Sequence, residues 1–194
     1  MKYLSEKLTD YIVKSGVISE ELYAVYQYGF QIGLEILSCF LVCFGISLYL
    51  HMIPQFLVFT GAFMLLRTYA GGVHLNSYSG CFICSTVVHT TILLVNSHYM
   101  IALPIAWGSV LISGALILKN APVENINREL DADEKKHCKN VTIKVLAGVL
   151  FFSAGCTIAG LNNIVSLISL TILVVLISQY IGIVKYNLEK KKRE

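Results

Sequence analysis

Charge is what this chain has least of. Only 14% of its 194 residues are Asp, Glu, Lys or Arg, against about 25% in an ordinary soluble domain. That is too little to coat a globule, while 56% of the residues are hydrophobic and the mean hydropathy is +0.68. A soluble globule is excluded, and an integral membrane protein follows. The start also lacks an uninterrupted apolar stretch, because Lys2, Glu6, Lys7, Asp10 and Lys14 break it up. No cleavable signal is therefore expected, and the first span would itself direct insertion. A disulfide framework is missing too. Of six cysteines, Cys39, Cys43, Cys81 and Cys156 fall in or beside apolar runs, Cys84 lies one turn beyond Cys81, and Cys138 sits in a charged segment. Such scatter suits small buried hydrophobes better than secreted staples. Internal repeats and low-complexity stretches are absent.

What is present is a series of apolar runs. Residues 1–28 come first and are not apolar enough to span. Tyr3, Leu4, Leu8, Tyr11, Ile12 and Ser15 recur at helical spacing, with Lys7, Asp10 and Lys14 on other faces. This predicts an amphipathic helix in the membrane interface, ended by Gly16. Ser19 with Glu20, Glu21 and Leu22 reads as the capped start of a second helix running into the first span. Six apolar runs follow, near 29–50, 53–70, 80–97, 100–118, 144–160 and 163–184. Each falls within the roughly 17–25 residues that cross a bilayer, with 53–70 and 144–160 at the short end. The expected fold is therefore all-α and polytopic, with about six transmembrane or re-entrant helices forming one domain over 29–184. A four-span arrangement with two re-entrant runs is the alternative.

The cations test this topology. Every Lys and Arg lies before the first run, at the end of the second, between the fourth and fifth, or after the sixth. The short links near His51–Pro54, His98–Met100 and Leu161–Asn163 carry none. With six spans all the cations share one side, which the positive-inside rule makes cytoplasmic. Both termini, the loops 67–79 and 119–143 and the basic tail 185–194 would then lie inside a bacterial plasma membrane. The run Lys190–Arg193 suits anionic membrane lipid. Cations beside a span are ordinary flank, so no nucleic-acid partner is expected.

One stretch departs from the apolar pattern: Arg67-Thr-Tyr-Ala-Gly-Gly-Val-His-Leu-Asn-Ser-Tyr-Ser-Gly-Cys81. Polar and flexible residues between two spans are costly, which suggests a function. On one unbroken helix His74 and Cys81 would lie about 10.5 Å apart along the axis, beyond the 2.6–3.2 Å or so of proton transfer. The pair can act only if the backbone folds between them. Gly71 and Gly72 can break the second span, and Asn76-Ser77-Tyr78-Ser79-Gly80 is rich in turn formers. Ser79 as N-cap would put Cys81 at the second helical position, where free N–H groups and the helix dipole favour a thiolate. Ser77 as N-cap would leave that reasoning nearly unchanged. The imidazole would stabilise the thiolate or take its proton, and the free N–H groups could hold an oxyanion.

The string Arg67, Gly71-Gly72, His74, Cys81 closely resembles the accessory gene regulator B (AgrB) family of Gram-positive quorum sensing. The likeness extends over the chain: its length, a polar N-terminal helical region, several spans, and Ala121-Pro122 leading into a charged loop. The resemblance implies a membrane cysteine endopeptidase with His74 and Cys81 as catalytic residues. It implies that a small AgrD-like propeptide is cut near its C-terminus through a thioester on Cys81, and that a Cys or Ser of the peptide then closes a thiolactone or lactone ring. It further implies a homo-oligomer, for which the small-residue patch Gly155–Gly160 is too common a feature to decide. A peptide transporter without protease activity and a non-enzymatic scaffold are the competing classes.

Other polar residues have plainer readings beside functional ones. Arg67 would hold the active-site loop or grip a substrate carboxylate, or simply reach lipid headgroups. Glu35, an acid inside a span, is a candidate to orient His74, as is Gln31; the plain reading bonds Glu35 to Gln31 one turn earlier. Lys119 and the 119–143 loop could dock an acidic peptide tail, or serve only as flank. A zinc set of His74, Cys81, Cys84 and His89 would need α-helical residues about 12 Å apart to converge, and Cys81-Phe-Ile-Cys84 lacks the βαβ context of a redox motif. No metal and no cofactor is expected. His51, His89, His98 and His137 read as interfacial or core.

Overall fold

A computed structural model describes residues 2–73, 77–124 and 130–191. Among them the chain forms seven α-helices and a 3-10 turn: α1 Lys2–Lys14, the turn Glu20–Leu22, α2 Tyr23–Tyr49, α3 Ile53–Ala70, α4 Tyr78–His98, α5 Leu103–Asn120, α6 Ala132–Ile158 and α7 Asn162–Lys191. The chain is an all-α polytopic membrane protein. Five of its helical segments, Glu20–Tyr49, α4, α5, α6 and α7, are long and apolar enough to cross a membrane. The remaining long helix, α3, has 18 residues, the length of α5, but carries Gln55 and Arg67.

The contacts at the two ends of the bundle show how α3 runs. Its C-terminal Ala70 accepts from Val123 N–H beyond α5 at 3.0 Å. Tyr69 meets His137 near the start of α6, ring to ring at 6.4 Å. At the opposite end Asn96 of α4 donates to the Asn163 carbonyl of α7 at 3.2 Å, and Trp107 of α5 donates to Thr157 of α6 at 3.2 Å. The six long helices therefore alternate in direction, and α3 traverses the bundle as its neighbours do.

At the centre lies α7. Half of its most apolar window is buried inside the protein, against about a tenth to a fifth in the other spans. Val165, Ile168, Ile172 and Val175 pack there against Leu66 and Ala70 of α3, Val110 and Ile117 of α5 and Leu146 of α6. With α7 paved on several sides, the outer helices leave large apolar side chains outward, such as Leu41, Leu57, Ile112 and Phe151. That distribution suits lipid as the surrounding solvent.

The N-terminal helix ends as its glycine predicts. Gly16, at φ 70°, donates to the Val13 carbonyl at 2.9 Å while Val17 donates to Ile12 at 3.2 Å, a Schellman cap. Against α2 the helix buries Ser5 and Thr9, and leaves Tyr3, Leu4, Leu8 and Tyr11 exposed. Its apolar side is thus free for the interface. The second helix continues through position 28 into the first span. It ends at His51, whose φ of 57° makes the same kind of cap, with Met52 N–H on Ser47 O at 2.9 Å.

Between α5 and α6 the polar segment is helical from Ala132 onward, so the last part of 119–143 belongs to α6. Asp131 accepts from Glu134 N–H at 2.7 Å, and the Glu134 side chain accepts from Asp131 N–H at 3.3 Å. This capping box starts the helix outside the apolar run. Glu124 gathers the segment before it, accepting from Leu130 N–H at 3.1 Å and pairing with Lys135 at 3.0 Å.

Candidate active site

The C-terminus of α3 leaves carbonyls that the helix cannot satisfy, and beyond it come two glycines. Gly71 has φ 78° and Gly72 has φ 149°, both in the region that L side chains avoid. Neither has room for a side chain. A Cβ on Gly71 would overlap the Val123 carbonyl and come within 2.8 Å of Val123 N. One on Gly72 would lie 2.6 Å from Ser178 Oγ and 3.2 Å from Arg67 Cζ. The glycine pair thus ends α3 and lets two other segments approach its backbone directly, Val123 on one side and α7 on the other.

The next residue, Val73, is held at both backbone groups. Its N–H donates to the Ser178 carbonyl of α7 at 2.8 Å, and its carbonyl accepts from the Arg67 guanidinium. Arg67 is half-buried. It bridges the end of α3 to the loop backbone at Val73.

On the far side of the turn the N-cap of α4 is Ser77, whose side chain accepts from Gly80 N–H at 3.2 Å. The expectation of Ser79 as cap is corrected: Ser79 is the second residue of the helix and is exposed. Both serines suit the role. Capping at Ser77 lets Tyr78 open the helix and reach Ser38 of α2, hydroxyl to hydroxyl at 2.6 Å. Cys81 consequently stands at the fourth helical position, and its own N–H is already bonded to the Ser77 carbonyl at 3.1 Å. It is not an oxyanion donor. The helix still tilts the Cys81 side chain back toward its N-terminal turn, where the Tyr78 and Ser79 N–H groups precede the first bonded turn.

All six cysteines are free. Cys43 and Cys156 are buried and Cys39 and Cys138 partly so, as expected of small hydrophobes, whereas Cys81 and Cys84 are exposed. His74, the histidine of the expected pair, lies outside the described residues, as do Leu75 and Asn76. The structure brings together Arg67, Gly71, Gly72 and Val73. The site end of α4 is tied to α2 by Ser38, one turn from Glu35. Glu35 itself accepts from Gln31 Nε2 at 3.0 Å, the plainer of its two readings.

The zinc set does not converge on α4. His89 is buried between Phe56 and Phe59, each ring 5.3 Å away and edge-on, while Cys84 is exposed. Sequence reasoning missed three residues of α7, Ser178, Gln179 and Gly182. Gln179 is fully buried and donates to the Ala70 carbonyl at 2.9 Å. An amide and a glycine within an apolar run were the available signal.

Comparison with known proteins agrees with the motif. The family model described as accessory gene regulator B matches residues 5–183. An AgrB-like protein of Clostridium beijerinckii is 30% identical over 159 residues, covering 76% of this chain and 71% of that protein. No solved structure matched. A family match over nearly the whole chain, together with the Clostridium beijerinckii relative, establishes that this protein belongs to the accessory gene regulator B family.

Proposed function

We propose that this chain, within accessory gene regulator quorum sensing, is a membrane cysteine endopeptidase that cuts an AgrD-like propeptide near its C-terminus. Cys81 is the nucleophile and His74 its base. The thiolate attacks the carbonyl carbon of the scissile peptide bond, the C–N bond breaks, and the imidazolium returns its proton to the leaving amine. The peptide's N-terminal part stays on Cys81 as a thioester. A Cys or Ser side chain within the peptide then attacks that thioester, closes the ring, and releases the Cys81 sulfur. Ring closure keeps acyl-transfer energy that hydrolysis would dissipate, so a site sheltered from bulk water suits the chemistry.

The observation that carries this reading is the clamp on Val73. His74 is its covalent neighbour, and both backbone groups of Val73 are bonded to α7 and Arg67. The exposed thiol of Cys81, seven residues after His74, is the group such a loop would serve. Positive-inside charge supports a cytoplasmic site, on the side where a ribosomal peptide is made. Lys119, exposed at the end of α5, suits an acidic peptide tail.

Purified protein in vesicles with an AgrD-like propeptide tests the proposal. Wild type and Cys84→Ala should cut the peptide, while Cys81→Ala and Cys81→Ser should not, though they still insert and bind it. Uncut peptide crossing the vesicle wall would favour a transporter instead. Activity in Cys81→Ala with loss in Cys84→Ala would assign the wrong sulfur.

A further inference from the structure

The geometry points to Gln179 of α7 as a positioning residue for this site, acting on the His74 loop through the Ala70 carbonyl, with Ser178 and Gly182 completing the seat. This rests on His74 and Cys81 being the working pair. Ala70 is fully buried, so water cannot serve its carbonyl. Two donors take it instead: Val123 N–H at 3.0 Å and Gln179 Nε2 at 2.9 Å. One turn of α7 then supplies three different contacts. Gln179 fixes the last residue of α3, the Ser178 carbonyl receives Val73 N–H, and Gly182 leaves the space in which Gly72 and Val73 lie. A Cβ on Gly182 would stand 2.7 Å from Gly72 C and 2.9 Å from Val73 N.

Packing alone does not explain Gln179. Gln179 has no exposure, yet its Oε1 has no hydrogen-bond partner. An unpaired amide oxygen at such depth destabilises the fold, and an apolar side chain of equal length would avoid that cost. Gly182 likewise weakens the helix it belongs to. Both residues sacrifice stability of α7, and both touch the same four-residue segment, Ala70–Val73, whose next residue is His74. The common consequence is a fixed direction for the chain entering the catalytic histidine.

The test uses Gln179→Met and Gly182→Ala in the full chain, with three measurements. These are the thermal midpoint, kcat and KM for an AgrD-like propeptide bearing a fluorophore and quencher, and iodoacetamide alkylation of Cys81 without peptide, read by mass spectrometry. Gln179→Met should keep or raise the midpoint, Gly182→Ala should lower it because its Cβ meets the Gly72 and Val73 backbone, and both should hold KM within about threefold. Both should lower kcat by about 100-fold, as misplacement of a reacting group does, and slow Cys81 alkylation to the rate of His74→Ala. Wild-type kcat and alkylation in either well-folded variant overturns the inference, as does a fall in midpoint with alkylation unchanged. If the wild type itself cuts nothing while both variants still slow alkylation, the seat stands and the protease reading fails. If the wild type cuts and the variants cut equally well, the protease reading stands and the seat fails.

Discussion

Arg67 offers the sharpest separation between holding the loop and holding the substrate. Its guanidinium donates to the Val73 carbonyl and lies against Gly72, 3.2 Å from where a Cβ would be. Arg67→Ala removes a hydrogen bond from a charged donor, a change of about 1.5–3 kcal/mol. If the active loop geometry depends on that bond, activity should fall about 10- to 150-fold, at roughly 1.36 kcal/mol per decade. Arg67→Lys keeps the charge but not the planar fork, so about a tenfold loss is expected from the weaker, less directed bond. The assay is steady-state propeptide cleavage in nanodiscs, with kcat and KM separated. A side chain bonded to the loop should act on kcat and leave KM within about threefold. A loss confined to KM would mean that Arg67 grips a substrate carboxylate. Unchanged kcat in Arg67→Ala would refute the clamp.

Three further outcomes follow from other parts of the molecule. His89→Leu should leave cleavage within about twofold and hold or raise the thermal midpoint, because it removes two unpaired ring nitrogens from a buried aromatic cluster; a large loss restored by zinc would revive the metal reading. Burial pushes the Glu124 carboxyl up, but the Leu130 N–H and Lys135 outweigh it and hold the group below its ordinary value. A lowered carboxylate adds stability that is full above its unfolded pKa and vanishes as pH falls through the folded one, so the wild-type midpoint should drop between about pH 5 and 3. Glu124→Gln should flatten that part of the melting curve, and an identical pH dependence in the variant would contradict the staple. An impermeant maleimide should label Cys81 and Cys84 in inside-out vesicles and not in intact cells; labelling of intact cells would reverse the topology.

The helices were legible because lipid and water impose simple demands. Apolar runs gave spans, and the absence of cations in three short links matched the alternation of direction that the contacts at both ends show. Gly71-Gly72 was legible as a break, since few other pairs leave a helix so readily. The capping serine was not, because Ser77 and Ser79 are locally equivalent as N-cap residues. Nor was the helical start of α6 at Ala132: hydropathy marks only the part of a helix inside the bilayer, although Asp131 and Glu134 do form a capping box. Least legible was the seat on α7. Gln179 lies more than a hundred residues after Ala70, no periodicity links them, and one amide in an apolar run says nothing of its partner. Motif reading finds the residues that do chemistry more readily than those that aim them, because aiming depends on backbone atoms every residue possesses.

The central claim concerns one covalent bond, and intact-protein mass spectrometry after brief incubation with an AgrD-like propeptide reads it directly. The account predicts a mass increase equal to the peptide's N-terminal part, mapped to Cys81, discharged by hydroxylamine and absent in Cys81→Ala. Cleaved peptide accumulating without any such adduct, or the adduct on Cys84, would contradict it.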